Sequence, residues 1–235
     1  MIRSAIASAA IVCAFAGQAM ASTVVFQNTW DNGIFTPVNS SNAASTTLGD
    51  SGWVGTGSSP ALAVQDLTLG LAVANFGQLP VSAGTTDLIF TFTDGDPSGF
   101  VFGSGATLYT TVIRDVALPS LNGGGAAGFD LTIPLPGVVL NSGFNNFGWS
   151  LGFANFNYGA NFGFKNGTLF SGQVVGSATW VASQNNGSGF FTYAFGPFSQ
   201  ADTSAASWVA TLTVPSPAAA AGLAMLGLAA VRRRR

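Results

Sequence analysis

The stretch Phe147-Gly-Trp149-Ser-Leu151-Gly-Phe153 places a large apolar residue at every second position, with glycine or serine between. Side chains of a strand point alternately to opposite faces, so this spacing buries one face and strips bulk from the other. A helix cannot gather residues of that period on one side. The alternation recurs in Leu67, Leu69, Leu71 and Val73, then in Leu88, Phe90 and Phe92. It returns in Phe129, Leu131 and Ile133 up to Pro134, and in Phe191, Tyr193 and Phe195 up to Pro197. The last run is Trp208, Ala210, Leu212 and Val214. Leu108, Thr110 and Val112 form a fainter case, and a first strand is predicted near Thr23 to Phe26. Many half-buried strands in so short a span predict an all-β fold, an antiparallel two-sheet β-sandwich or jelly-roll-like domain.

Composition points the same way. Ser22 to Thr213 holds no Glu and no His, and its nine Asp face one Arg and one Lys, leaving seven net negative charges. The strong helix formers are nearly gone, while Gly, Ser, Thr, Asn, Val and Phe dominate. Turns are predicted at Asp94-Gly95-Asp96-Pro97, Asn122-Gly123-Gly124-Gly125, Asn166-Gly167 and Asn185-Asn186-Gly187. Asp31 to Pro60 is predicted to be a long loop with one short strand around Trp53. An acidic surface of this kind repels phosphate backbones, so nucleic acid is excluded as a partner.

The two ends differ from the middle. Of seven Lys and Arg in the whole chain, Arg3 lies near the start and Arg232, Arg233, Arg234 and Arg235 close it. Arg3, the small and apolar run Ala5 to Gly17, and Ala19-Met20-Ala21 make up a secretory signal helix, cleaved before Ser22 after passage through the secretion translocon. The sole cysteine, Cys13, falls in that leader, so the mature chain is expected to carry no disulfide. At the other end, Pro215 and Pro217 break regular structure ahead of Ala218 to Val231, an uncharged run that would be about 21 Å long as a helix. That is short of a hydrocarbon core of roughly 30 Å, and snorkelling arginines would help it to anchor.

This tail resembles the PEP-CTERM sorting signal: a Pro-x-Pro motif, a short Leu/Gly-rich helix and a terminal arginine cluster. The motif stands here as Pro215-Ser216-Pro217, with Ser216 where the family usually has Glu. Leu223, Leu226, Gly227 and Leu228 lie in the helix, and Arg232 to Arg235 form the basic end. The resemblance implies processing by an exosortase-like membrane transpeptidase. It also implies transient anchoring in the inner membrane, then release to the cell surface or extracellular matrix. The expected layout is a signal peptide over 1–21, an ectodomain over 22–213 and a sorting signal over 214–235. The middle is also similar to ectodomains that precede such tails, through its "DLTLGLAV", "DLIFTF" and "GWSLGF" strands. That likeness implies a β-sandwich and carries no functional residues with it.

Without His, the Ser-His-Asp and Cys-His arrangements are closed to this chain, as are histidine metal sites. No cofactor and no catalytic residue is expected. Asp94 and Asp96 in "TDGDPSG" are the candidates for a calcium ligand pair, but the stretch lacks the remaining EF-hand positions and reads first as an Asp-Gly turn. "GFNNFGWSLGFANFNYGANFGF" supports three readings. Its aromatic residues pack inward, or Phe156, Tyr158 and Phe162 offer rings to the apolar faces of sugars, or the edge pairs with another chain. The expected function is that of an exported, non-enzymatic surface or matrix protein. The alternative is a carbohydrate-binding module acting on exopolysaccharide.

Overall fold

The computed structural model describes residues 22–28, 35–54, 60–95, 103–141, 145–168, 173–175, 177–178, 182–185, 190–193 and 206–216. Contacts divide the chain into two compact units, Val24–Val214 and one made of Met1–Thr23 with Pro215–Arg235. Of the second, Ser22, Thr23, Pro215 and Ser216 are described. The expected signal helix and C-terminal helix lie outside the described residues, among which no helix is long and apolar enough to cross a membrane.

The chain is built almost wholly of strands. In order they are β1 (Ser22–Asn28), β2 (Phe35–Val38), β3 (Thr47–Trp53), β4 (Leu62–Ala63), β5 (Asp66–Ala74), β6 (Gly84–Gly95), β7 (Gly103–Leu118), β8 (Ala126–Pro134) and β9 (Val139–Leu140). There follow β10 (Asn146–Asn157), β11 (Asn161–Thr168), β12 (Gln173–Val175), β13 (Ser177–Ala178), β14 (Ala182–Asn185), β15 (Phe190–Tyr193), β16 (Ala206–Trp208) and β17 (Ala210–Pro215). One 3-10 turn, Ala43–Ser45, is the only helical piece among the described residues.

Two large sheets result. The first runs β12-β1-β17-β5-β11-β16, with β2 on β11 and β8 on β5. Strand β5 is its hub. One edge pairs with β8 through nine consecutive residues, Asp66 opposite Pro134 to Ala74 opposite Ala126, without a bulge. The other edge is shared: β17 takes Asp66 to Leu69 and β11 takes Leu71 to Ala74, both antiparallel. The N–H of Gly70 bonds the Val209 carbonyl at 2.9 Å where the two partners meet. Strand β11 runs on past that branch to pair with β16, Asn166 opposite Trp208. The second sheet runs β15-β14-β3-β10-β6-β7, with β13 also on β3.

One hydrophobic cluster draws on both sheets. Leu67, Leu69, Leu71 and Val73 come from the first, and Leu88, Phe90, Phe92, Phe147, Trp149, Leu151 and Phe153 from the second, all buried. Rings meet from sheet to sheet: Phe26 lies edge-on to Phe147 at 5.0 Å, and Phe153 edge-on to Phe162 at 5.6 Å. Such geometry adds to the burial of each ring. The small residues between the large ones have their own reason. A Cβ on Gly148 would stand 2.0 Å from the Gly95 carbonyl oxygen, so no side chain fits there.

Three expectations are corrected. The segment from Asp31 to Pro60 holds more than the one short strand expected around Trp53: β2, the 3-10 turn and the seven-residue β3, which ends at Trp53, lie within it. Strand β3 is central, held between β10 on one side and β13 and β14 on the other. Asn166-Gly167 is no turn, because β16 pairs with it and keeps it extended. In β7 the phase is reversed. Pairing with β6 sets Val112 opposite Ile89 and turns both outward, leaving Val112 at 44% and Leu108 at 37% exposure. Tyr109, Ile113 and Val116 pack against the core, and Leu118 is buried in it.

Candidate functional site

Three polar arrangements are built into the described residues. The first is Asp50, a buried acid on β3. Its Oδ1 accepts the Ser51 N–H at 2.8 Å and its Oδ2 accepts the Trp208 N–H at 2.8 Å. The Trp208 indole Nε1 donates to the Gly49 carbonyl at 2.8 Å, and Asn28 Nδ2 reaches the Trp208 carbonyl at 3.4 Å. Trp208 stands just ahead of the branch of the first sheet, so Asp50 ties that branch to the second sheet.

The second is Asp87 on β6. Its neighbours are both irregular: Asp115 on β7 has φ 52° and Asn155 on β10 has φ 48°, and the register shifts on each side. Asp87 Oδ1 accepts the Asp115 N–H at 2.8 Å, while Oδ2 accepts Asn155 Nδ2 at 2.8 Å and lies 3.4 Å from Arg114 Nη1. The Asp115 N–H first, then the Asn155 amide and the Arg114 charge, hold this carboxyl below the usual carboxylate range against the opposing effect of burial. One side chain thereby fixes two bulges. Bulges bend and twist strands, which blunts an edge such as β7.

The third is a cluster of loops at one end of β5. Asn75 is buried and donates through Nδ2 to the Leu79 carbonyl at 2.7 Å and the Asn122 carbonyl at 3.1 Å. Its Oδ1 accepts the Gly77 N–H at 3.0 Å, so the segment 75–79 is folded around one amide. The β7–β8 turn packs against it: Gly124 N–H to the Gly77 carbonyl at 2.9 Å, and Val81 with Leu121 in a reciprocal pair. Gly123 comes so near the Gln78 carbonyl that a Cβ would stand 2.1 Å from it. Tyr158, from the β10–β11 connection, donates its hydroxyl to the Pro119 carbonyl at 2.7 Å, and burial pushes its phenol above the ordinary value. This well-bonded end holds Phe76 at 70% and Leu79 at 79% exposure.

Comparison with family models, with curated proteins and with solved structures gives no match.

The residues singled out from sequence distribute unevenly. Phe162 is fully buried and Tyr158 nearly so, which corrects the reading of them as a sugar-facing surface. The short turn after Asn157 folds β11 back so that Phe162 meets Phe153 and Phe129. Phe156 is half-buried against the core and lies edge-on to Tyr158 at 6.5 Å. Asp94 is the next-to-last residue of β6, paired with Ala106 ahead of Gly95, while Asp96 lies outside the described residues. No group of three metal-ligating side chains occurs among the described residues. Ser22 opens β1, Pro215 closes β17 and Ser216 follows it. Ala19, Ala21, Pro217, Gly227 and Arg232 to Arg235 lie outside the described residues. Asp50, Asn75, Asp87, Phe76 and Leu79 were not legible as a site. The one signal was "NFGQLP", a Phe and a Leu set among turn-forming residues.

Proposed function

We propose that the chain is an exported, non-enzymatic surface or matrix protein: a β-sandwich ectodomain over 22–213, delivered through the translocon and sorted by an exosortase-like transpeptidase. Support for a jelly-roll-like sandwich comes from the single hydrophobic cluster that draws on both sheets. The observation that carries the reading is where the core ends. Val214 is buried, and the next residue is Pro215 of the Pro-Ser-Pro motif. A cut beyond Pro215, the last residue of β17, would remove none of the described core residues. The buried acids also fit a structural role, since Asp50 and Asp87 accept bonds from backbone N–H groups. Intact mass of the protein recovered from the surface of its native host tests the reading. The expected species begins at Ser22 and lacks Arg232 to Arg235; a main surface form that retains those arginines overturns the sorting claim.

A further inference from the structure

We propose that β7 is a docking edge for a second copy of this chain, the two strands pairing antiparallel about Thr110. Strand β7 closes the second sheet, and among the described residues β6 is its only strand partner. An edge strand presents a row of backbone donors and acceptors, and another strand is the partner whose spacing matches them. The bulges of β7 set the length of the contact. Its pairing with β6 is regular from Tyr109 to Ile113, between one register shift at Phe92/Thr93 and another at Thr86/Leu88. Lysine, proline and charge are the usual guards of such a run, and 103–113 carries none of them.

The side chains select the occupant. Ile89, Leu108 and Val112 are exposed along β6 and β7, with Ile89 directly opposite Val112. A two-fold axis through Thr110, normal to the sheet, sets Leu108 of one copy opposite Val112 of the other. Side chains opposed in this way stand about 4.5–5.5 Å apart at Cβ. The row Ile89, Val112 and Leu108 of the second copy then runs unbroken across the junction, and the axis generates a second such row. Charge agrees with the pairing. The region from Ser22 to Thr213 carries seven net negative charges, which set two copies against each other, whereas 88–93 and 103–113 hold no charge at all. The nearest charge on β7 is Arg114; across the axis its two copies stand roughly 26 Å apart, beyond a Debye length of about 8 Å. A foreign strand would need the same apolar spacing and the same lack of charge, which a second copy carries by construction. The contact is small, so the dimer is weak and concentration-dependent. The inference does not depend on export or sorting.

The test is disulfide trapping of the full chain in mild non-ionic detergent, with Cys13→Ser as the background. A residue on the axis faces its own copy at a Cα separation of about 4.5–5.5 Å, within the span of a disulfide. Thr110→Cys should therefore oxidise to a covalent dimer, in a yield that rises with protein concentration. Thr132→Cys, exposed on β8 in the other sheet, is the control and should stay monomeric. Adding Val112→Lys should cut the Thr110→Cys dimer roughly ten-fold, because each dimer would then desolvate two ammonium groups. Its melting temperature should not change, since Val112 is exposed. A chain that stays monomeric with Thr110→Cys overturns the proposal, as it must if any other segment covers the edge. Equal cross-linking through Thr132→Cys overturns it too, and so does a Thr110→Cys dimer that survives Val112→Lys.

Discussion

Replacing Asp50 by Asn is the sharpest probe of how the two sheets are joined. The carboxylate gives one oxygen to the Ser51 N–H and the other to the Trp208 N–H, each at 2.8 Å. An amide of the same shape keeps one acceptor and puts an NH2 group where the other stood. Whichever way it flips, one backbone N–H then faces a donor. A buried donor left unsatisfied costs about 1–3 kcal/mol. The lost bond was also charge-assisted, which places it in the stronger half of the range. A neutral amide is easier to bury than a carboxylate, and this offsets part of the loss. The net expectation is a destabilisation of about 1–3 kcal/mol, or roughly 2–12 °C in melting temperature for a domain of this size. Urea denaturation followed by tryptophan fluorescence would read it as a lower midpoint with an unchanged slope. Asp50→Ala loses both acceptors and should fall further. If Asp50→Asn keeps the wild-type midpoint within about 0.5 kcal/mol, the carboxylate does not hold the branch and the argument fails.

Two further outcomes follow from the core and from the bulges. Trp149→Ala removes a ring that is 1% exposed and should cost about 3–5 kcal/mol, seen as insolubility or a large loss of denaturation midpoint; a wild-type midpoint would contradict its place in the core. Asp87 has a depressed folded pKa, so its contribution is fully present above the unfolded carboxyl value of about 3.9 and is lost as pH falls through the folded value. Melting temperatures measured from about pH 2 to about pH 7, a span that covers carboxylate titration, should therefore show a steeper acid decline for wild type than for Asp87→Asn; identical pH profiles would refute the role given to that carboxylate.

Period-two alternation of large apolar residues was enough to find β5, β6, β8 and β10, because each buries one face and the pattern is local. Strand β3 was foreseen only as a short strand around Trp53, for the opposite reason. Between Leu48 and Trp53 it offers Gly49, Asp50, Ser51 and Gly52, and its ladder with β10 sets small residues against small ones, Gly49 opposite Ser150 and Ser51 opposite Gly148. Leu48 is its one large side chain in the core, and pairing along both edges does the rest. The reversed face of β7 shows the limit of a fainter run: Leu108, Thr110 and Val112 alternate correctly, yet the register with β6 decides which side is inward. The polar anchors were illegible because their partners are remote in sequence. Asp87 meets Asn155 across 68 residues and Asn75 meets Asn122 across 47, and neither spacing leaves a motif. The place of Phe162 stayed open because its neighbours Asn161 and Gly163 look like loop, while the partner strands β2 and β5 hold it in a sheet.

The position of β17 has a consequence for the order in which the molecule is made. It is the last described strand in the chain, yet it lies between β1, among the first residues, and β5. A sheet assembled as the chain is synthesised from its N-terminus therefore has a vacant central row until the segment around Leu212 appears. Pairings between residues so far apart raise contact order and slow folding. The nascent chain stays incomplete, with an open seam along β5, for nearly the whole of its elongation, and it closes only as the final strand is delivered.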